Sequence, residues 1–192
     1  ARFAERLKGL SWAFVPYNFP GLPLTRAIRD AIDSRPIDVI VMGNHGLVVA
    51  ADDLDAAAAL LAELERRLDA PAKRLDTAAP PARDGLKPAR HAAAHGLAHG
   101  ARMRERATAG SYYPDHVIFL GPAAATPDSR RPGQSLLLVP GEGAYLPKDA
   151  QPAADELALC LALVLARVPD DAELIRFTAA EEAALLGWDA EK

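Results

Sequence analysis

The sequence predicts an α/β protein in two parts. Short β-branched runs such as Val39-Ile40-Val41-Met42 alternate with segments whose apolar residues recur every three or four positions. Half of the 192 residues are hydrophobic and a quarter are charged, which is typical of globular proteins. A proline-containing polar stretch without periodicity lies between the two parts. We therefore expect one part at residues 1–70, a linker at 71–89 and a small α/β domain at 90–192.

The first part is predicted to alternate between strands and helices. Prolines and a glycine punctuate a loop at residues 16–23, and Gly46 separates two short strands. Asp52 or Asp53 can cap the helix that follows. The predicted elements, in order, are a short helix leading into a strand at 12–15, a helix from Leu24 to Ser34, strands at 38–43 and 47–50, and a helix at 54–68.

The second part also mixes helices and strands. Residues 140–143, Pro-Gly-Glu-Gly, lack the spacing of a phosphate loop and favour a hairpin turn. Thr178 and Glu181 form a capping-box pattern. The predicted elements are a helix around 88–107, strands at 117–120, 135–139 and 144–146, a long helix at 152–168, and a helix from Thr178 to Gly187.

Charge and composition exclude several classes of partner and suggest a compartment. The formal net charge of −4 divides evenly, with −2 on residues 1–71 and −2 on residues 72–192, so neither part is a basic body suited to nucleic acid. No apolar run approaches the roughly 20 residues that span a membrane. The single cysteine, Cys160, falls in an apolar helix, where we expect a buried thiol in a reducing cytoplasm.

The sharpest local signal is Asn44-His45-Gly46, at the end of a predicted buried strand. Strand ends are common ligand sites in α/β folds, and an imidazole there can bind a divalent metal through one nitrogen. A histidine that only satisfies hydrogen bonds in a tight turn explains the same position, because one histidine does not make a metal site. Position alone leaves both readings open.

The wider pattern resembles the class II aldolase/adducin family over roughly the first 70 residues. Pro16-Tyr17-x-x-Pro20-Gly21, an amphipathic helix, a strand, the Asn-His-Gly turn, a second strand and an acid-capped helix follow the family's order. The resemblance implies a three-layer α/β/α portion with a mixed or antiparallel sheet. In that family three histidines hold a divalent metal, usually zinc. His45 matches the ligand that comes from the Asn-His-Gly turn.

The sequence departs from the family in its other ligands. It contains no His-x-His pair, and the family's phosphate loop and catalytic acid have no counterpart here. Because the chain opens at Ala1-Arg2-Phe3 inside apparent structure, we expect that the N-terminal half is absent. A metal-free relative in the manner of adducin is the alternative.

The resemblance implies a metal-dependent lyase of carbohydrate metabolism. Its reaction would be retro-aldol cleavage of a small sugar-derived hydroxy-carbonyl compound through a metal-stabilised enediolate. Epimerases, dehydratases and decarboxylases of the family use the same kind of metal, and a non-catalytic adducin-like interaction module is the rival. Family members are commonly tetramers, so we expect a homo-oligomer.

The second part offers two weaker candidates. His91, His95 and His99 would share one face of a continuous helix, and Asp115 could orient His116. The motif at residues 113–121, the Val-Pro-Gly-x-Gly motif at 139–143, the helix that follows and the terminal residues 185–192 are together similar to the C-terminal extension of a longer subgroup of class II aldolase-like proteins. We hypothesise that this extension makes oligomer contacts or covers the active site.

Overall fold

The computed structural model describes residues 2–75 and 79–188, and the chain divides into two compact units between Ala70 and Pro71. Both units mix helices with a small sheet, so the α/β class predicted from the sequence is confirmed. Residues 76–78 of the predicted linker and residues 189–192 of the predicted extension lie outside the described part of the chain.

The first unit contains a three-stranded sheet in the order β1-β2-β3. β1 is parallel to β2, and β2 is antiparallel to β3, so the sheet is mixed. The elements are α1 (Arg2–Arg6), β1 (Trp12–Val15), α2 (Leu22–Asp33), β2 (Val39–Met42), β3 (Gly46–Val49) and α3 (Leu54–Leu68). The predicted order of elements is confirmed, and the Asp53 side chain caps α3 by accepting from the Ala56 N–H at 2.7 Å.

The core of the first unit joins α1 and α3 to β2 through Leu7, Val39 and Leu64, which are fully buried. Two arginines tie the helices further. Arg6 donates to the carbonyl of Asp69 at 2.9 Å, and Arg67 donates to the carbonyl of Lys8 at 2.8 Å. The apolar stripe of α3 therefore packs against one face of the sheet.

The second unit is larger and has an antiparallel sheet in the order β4-β6-β5. Its elements are β4 (Leu86–Pro88), a 3₁₀ helix (Ala92–His95), α4 (Gly96–His99), α5 (Ala101–Ala109), α6 (Pro114–Leu120), β5 (Leu137–Val139), β6 (Gly143–Pro147), α7 (Pro152–Arg167) and α8 (Ala179–Leu186). The predicted hairpin is confirmed by β5 and β6, which pair around residues 140–142. The predicted capping box of Thr178 and Glu181 at α8 is also confirmed.

The segment at 71–89 contributes to the second unit where the structure describes it. β4 pairs with β6, and the Lys73 N–H donates to the carbonyl of Ala166 at 2.9 Å. Leu75 packs against the main core of the second unit. It lies so close to Gly96 that a Cβ added to Gly96 would be 2.9 Å from the Cβ of Leu75.

The continuous helix predicted around 88–107 is wrong. Pro88 belongs to β4, and the helical turns that follow are a 3₁₀ helix, the single turn α4, and α5. Gly100 separates α4 from α5 with an extended backbone at φ −78° and ψ 118°. Glycine destabilises a helix interior by about 1 kcal/mol relative to alanine, so this is where the helix breaks.

The strand predicted at 117–120 is also wrong, because these residues form α6. Pro114 occupies the first helical turn, where its missing N–H costs nothing. Gly121 ends the helix at φ 88°, and a Cβ there would lie 2.0 Å from the carbonyl oxygen of Gly133. A short apolar run has no decisive period, so these flanking residues determine its structure.

The predicted burial of Cys160 is wrong as well. Cys160 is exposed on the outer side of α7, whereas Leu161 and Leu165 on the opposite side are fully buried. Since α7 is apolar on nearly all sides, its sequence did not indicate which face would meet the core.

Candidate functional site

The candidate site lies at one edge of the first unit's sheet, where β1 and β2 end side by side. Val15 pairs with Met42 at the carboxyl ends of these parallel strands. The loop that begins at Pro16 and the turn Gly43–His45 therefore leave the sheet together. This arrangement follows from strand direction, because parallel neighbours deliver their connections to the same edge.

Gly43 allows the two segments to approach each other closely. Its N–H donates to the carbonyl of Val15 at 2.9 Å. A Cβ on Gly43 would lie 3.1 Å from the backbone nitrogen of Tyr17 and 3.3 Å from Cζ of Phe14. Such contacts are tighter than side chains normally make, so a larger residue would push the turn away from the loop.

Asn44 and His45 complete a tight turn between β2 and β3. Asn44 has φ 56°, a left-handed conformation that asparagine tolerates better than most residues. The His45 N–H donates to the carbonyl of Met42 at 3.3 Å. His45 itself is exposed, so its ring projects from a backbone that strand pairing holds in place.

The described residues do not by themselves fit a complete metal site around His45. Across residues 2–75 and 79–188, no group of three or more His, Cys, Asp or Glu side chains could hold an ion. Catalytic zinc requires about three protein ligands. The residues at 2–75 and 79–188 therefore do not supply a complete ligand set for a catalytic zinc.

The histidines of the second unit are separated by the broken helix and do not form one ligating face. His91 places Nε2 2.7 Å from Oε1 of Glu156. His95 is 1% exposed, and its Nδ1 accepts the Ala144 N–H at 3.2 Å. His99 lies one turn further, at the end of α4. The contacts of His91 and His95 hold α7 and the hairpin, so these two histidines have structural roles.

His116, the other candidate, lies in the core of the second unit. It is fully buried, and neither ring nitrogen has a hydrogen-bond partner among the described residues, so Asp115 does not orient it. The rings of Tyr112 and Tyr113 lie 6.0 and 5.4 Å from its ring centre. Burial lowers the pKa of His116 to about 4, which keeps the imidazole neutral near pH 7.

One polar cluster was not predicted from the sequence. Arg83 donates to Glu142 through Nε at 2.8 Å and through Nη2, and the Tyr145 hydroxyl donates to the same carboxylate. The Arg83 guanidinium lies 5.5 Å above the Tyr145 ring. Hydrogen bonds from Arg83 and then Tyr145 lower the pKa of Glu142 to about 2. The available sequence signal for this cluster was Glu142, an acid between two glycines in a predicted hairpin turn. Its partner Arg83 is 59 residues away in the sequence, so the pair was not predictable.

The geometry first defines a class of protein: an α/β unit that presents a histidine turn at the carboxyl ends of adjacent strands. A comparison with known protein families shows that residues 2–70 match the family described as Class II Aldolase and Adducin N-terminal domain. This match confirms the resemblance of the first part of the chain to the class II aldolase and adducin family. His45 and its turn lie inside the matched residues.

No curated protein and no solved structure matches the chain. The family match ends at Ala70, so the similarity of the second unit to a C-terminal extension stays a prediction. Among the described residues, none of the helices has the length and hydropathy needed to cross a membrane.

Proposed function

We propose that this chain is part of a metal-dependent, aldolase-like lyase, and that His45 is one ligand of its metal. The observation that carries the proposal is the Asn44-His45-Gly46 turn, which presents an exposed imidazole at a strand end inside a family-matched unit. The proposed reaction is retro-aldol cleavage of a small sugar-derived hydroxy-carbonyl compound. Epimerisation, dehydration and decarboxylation are the related reactions to be screened.

In this proposal the first unit contributes position and orientation. Pairing of β1 with β2 and the close approach at Gly43 hold the turn, so His45 needs little reorganisation to bind an ion. The proposed ion is divalent, with zinc as the first choice, and it would supply Lewis-acid polarisation of substrate oxygens. The remaining ligands would come from outside the described residues.

The second candidate function is a non-catalytic interaction module in the manner of adducin. It is favoured by the lack of a ligand set among residues 2–75 and 79–188. In that case His45 serves only the turn between β2 and β3. A cytoplasmic location is compatible with either function and stays a prediction.

Metal analysis of the protein expressed from its complete reading frame separates these functions. We expect about one divalent ion per chain in the wild type and loss of that ion in His45→Ala, since a site of about three ligands rarely survives removal of one. His91→Ala is the matched control, because His91 is also partly exposed but contacts Glu156 in the second unit. That variant should keep the ion.

An ion-free wild-type protein, even after incubation with zinc, would contradict the lyase proposal and favour the interaction module. Retention of the ion in His45→Ala would contradict the ligand assignment alone. Where the ion is present, the same preparations should be assayed for aldehyde release from hydroxy-carbonyl compounds. We expect the His45→Ala variant to lose that activity.

A further inference from the structure

The long helix α7 carries an exposed apolar stripe on the side opposite its core contacts. Its buried side includes Leu161 and Leu165, and it packs against α5, α6 and the 3₁₀ helix. Leu163 and Val164, on the outer side, are each 40% exposed. A shallow groove of about 320 Å³ follows this side, lined by Glu156, Leu159, Cys160, Leu163, Val164 and Arg167.

These six residues, which we call the α7 stripe, recur at spacings of three and four and so share one helix face. An acid begins the stripe and a base ends it, with apolar side chains and a thiol between them. Glu156 and Arg167 are eleven positions apart, or about 16 Å along the axis. Exposed apolar stripes of this kind mark interaction surfaces more often than isolated exposed leucines do.

We propose that the α7 stripe is a contact between two copies of this chain, packed antiparallel about a two-fold axis. In a two-fold interface, residue i of one copy meets residue j of the other, and j meets i. With the axis at the middle of the stripe, Glu156 faces Arg167 of the second copy. The same register places Leu159 opposite Val164 and Cys160 opposite Leu163, so every stripe position has a partner of compatible chemistry.

Charge favours the antiparallel orientation over the parallel one. Parallel pairing would place the two Glu156 carboxylates together and the two Arg167 guanidiniums together, and like charges across an interface are unfavourable. Glu156 already contacts His91 at 2.7 Å and Arg90 at 3.8 Å, yet its side chain remains 52% exposed. A carboxylate has about four acceptor positions, so it can also receive Arg167.

The size of the stripe sets the expected strength of this contact. A stable interface buries roughly 800 Å² on each partner, which is more than one helix face supplies. We therefore expect a concentration-dependent dimer, or one contact of a larger homo-oligomer. The contact lies wholly in the second unit, so it does not depend on the proposed lyase function.

Disulfide trapping tests the register directly. In Leu163→Cys the new thiol faces Cys160 of the second copy twice in each dimer, at the close approach that a disulfide requires. We expect mild oxidation of the full chain to make the disulfide-linked dimer the main species. Removing the partner thiol, in the double variant Cys160→Ser with Leu163→Cys, should abolish most of it. Cross-linking that persists in the double variant would overturn the antiparallel register.

Sedimentation over a range of concentrations tests the association without a new thiol. Leu163→Glu should weaken dimerisation by about tenfold or more, because it places an unpaired charge in the contact. Ile175→Glu is the matched control, since Ile175 is 78% exposed and outside the stripe. Circular dichroism of each variant establishes that it is folded.

Three results would overturn the proposal. The first is a wild-type chain that stays monomeric at all concentrations and gives no cross-link, which would leave the stripe to a different protein. The second is an assembly that Leu163→Glu leaves unchanged, because the contact would then lie elsewhere. The third is equal weakening by the Ile175→Glu control.

Discussion

His116 shows how one buried side chain can make stability depend on pH. The imidazole is fully enclosed beside Tyr112 and Tyr113, and its two nitrogens lack partners within the described residues. Burial disfavours the charged form and lowers its pKa from 6.5 to about 4. The unfolded chain therefore takes up a proton at a higher pH than the folded chain does.

We predict that the stability of the second unit falls as the pH drops from about 6.5 toward 4. Between pH 7 and pH 5 the loss from this group should be about 2 kcal/mol, because only the unfolded state gains the proton in that window. His116→Phe should remove this component, and at pH 7 it should be near neutral or stabilising, since no hydrogen bond is lost. Urea unfolding of both proteins at the two pH values measures the difference.

The wild-type protein serves as the control for His116→Phe. Every other titrating group is common to both proteins, so the difference in their pH dependence of stability reports on His116. Equal pH dependence in the wild type and the variant would contradict the prediction. A loss of stability in the variant at pH 7 would instead show that the imidazole makes a favourable contact that phenylalanine cannot replace.

At the scale of elements, Arg106 joins α5 to the segment after α7. It is 5% exposed. Its guanidinium donates to the carbonyls of Val168 at 3.2 Å, Pro169 at 2.7 Å, Asp170 at 3.1 Å and Ala172 at 3.0 Å. One side chain thus satisfies four backbone acceptors where α7 ends, and it sets the path of the chain toward α8.

We predict that Arg106→Met destabilises the second unit by about 2 kcal/mol, because several carbonyls lose a charged donor while the methylene packing is partly kept. Arg102→Met is the matched control. Arg102 is on the same helix but is exposed. It pairs with Glu105 and reaches only one of these carbonyls, that of Asp170 at 3.1 Å, so its loss should cost less than about 1 kcal/mol. Thermal unfolding followed by circular dichroism compares the two variants. Equal losses of stability would contradict the role assigned to the Arg106 hydrogen bonds.

At the scale of the whole molecule, each unit has its own core. Leu64 is fully buried among the apolar residues of the first unit, and Leu161 is fully buried in the main core of the second. Replacing a buried leucine by alanine costs about 2–5 kcal/mol. Such a loss is large against the stability of a small unit.

We predict that each core substitution affects its own unit first. Leu64→Ala should lower the unfolding midpoint of the first unit, and Leu161→Ala that of the second. Hydrogen exchange followed by mass spectrometry assigns the protection of peptides from residues 2–70 and from residues 79–188 separately. Equal loss of protection in both units from either substitution would show that they unfold together.

The sequence by itself determined the features that rest on local chemistry. The two strands and the turn at Asn44-His45-Gly46 were predictable from local chemistry. Runs rich in β-branched residues form the strands, and residues that tolerate a left-handed or crowded backbone form the turn between them. The caps of α3 and α8 were predictable for the same reason, since the capping side chain and its N–H lie within one turn. Local signals also placed His45 at the end of a strand, whereas its exposure was established only by the structure.

Only the tertiary structure decided what depends on distant partners. Residues 117–120 became part of α6, and Cys160 faced outward on α7, because an apolar run does not indicate which neighbours will cover it. The break at Gly100 and the contact between Arg83 and Glu142 likewise required the fold. Periodicity and capping act over one or two turns, whereas burial is determined by residues far away in sequence, so the site turn was predictable and the second unit's core was not.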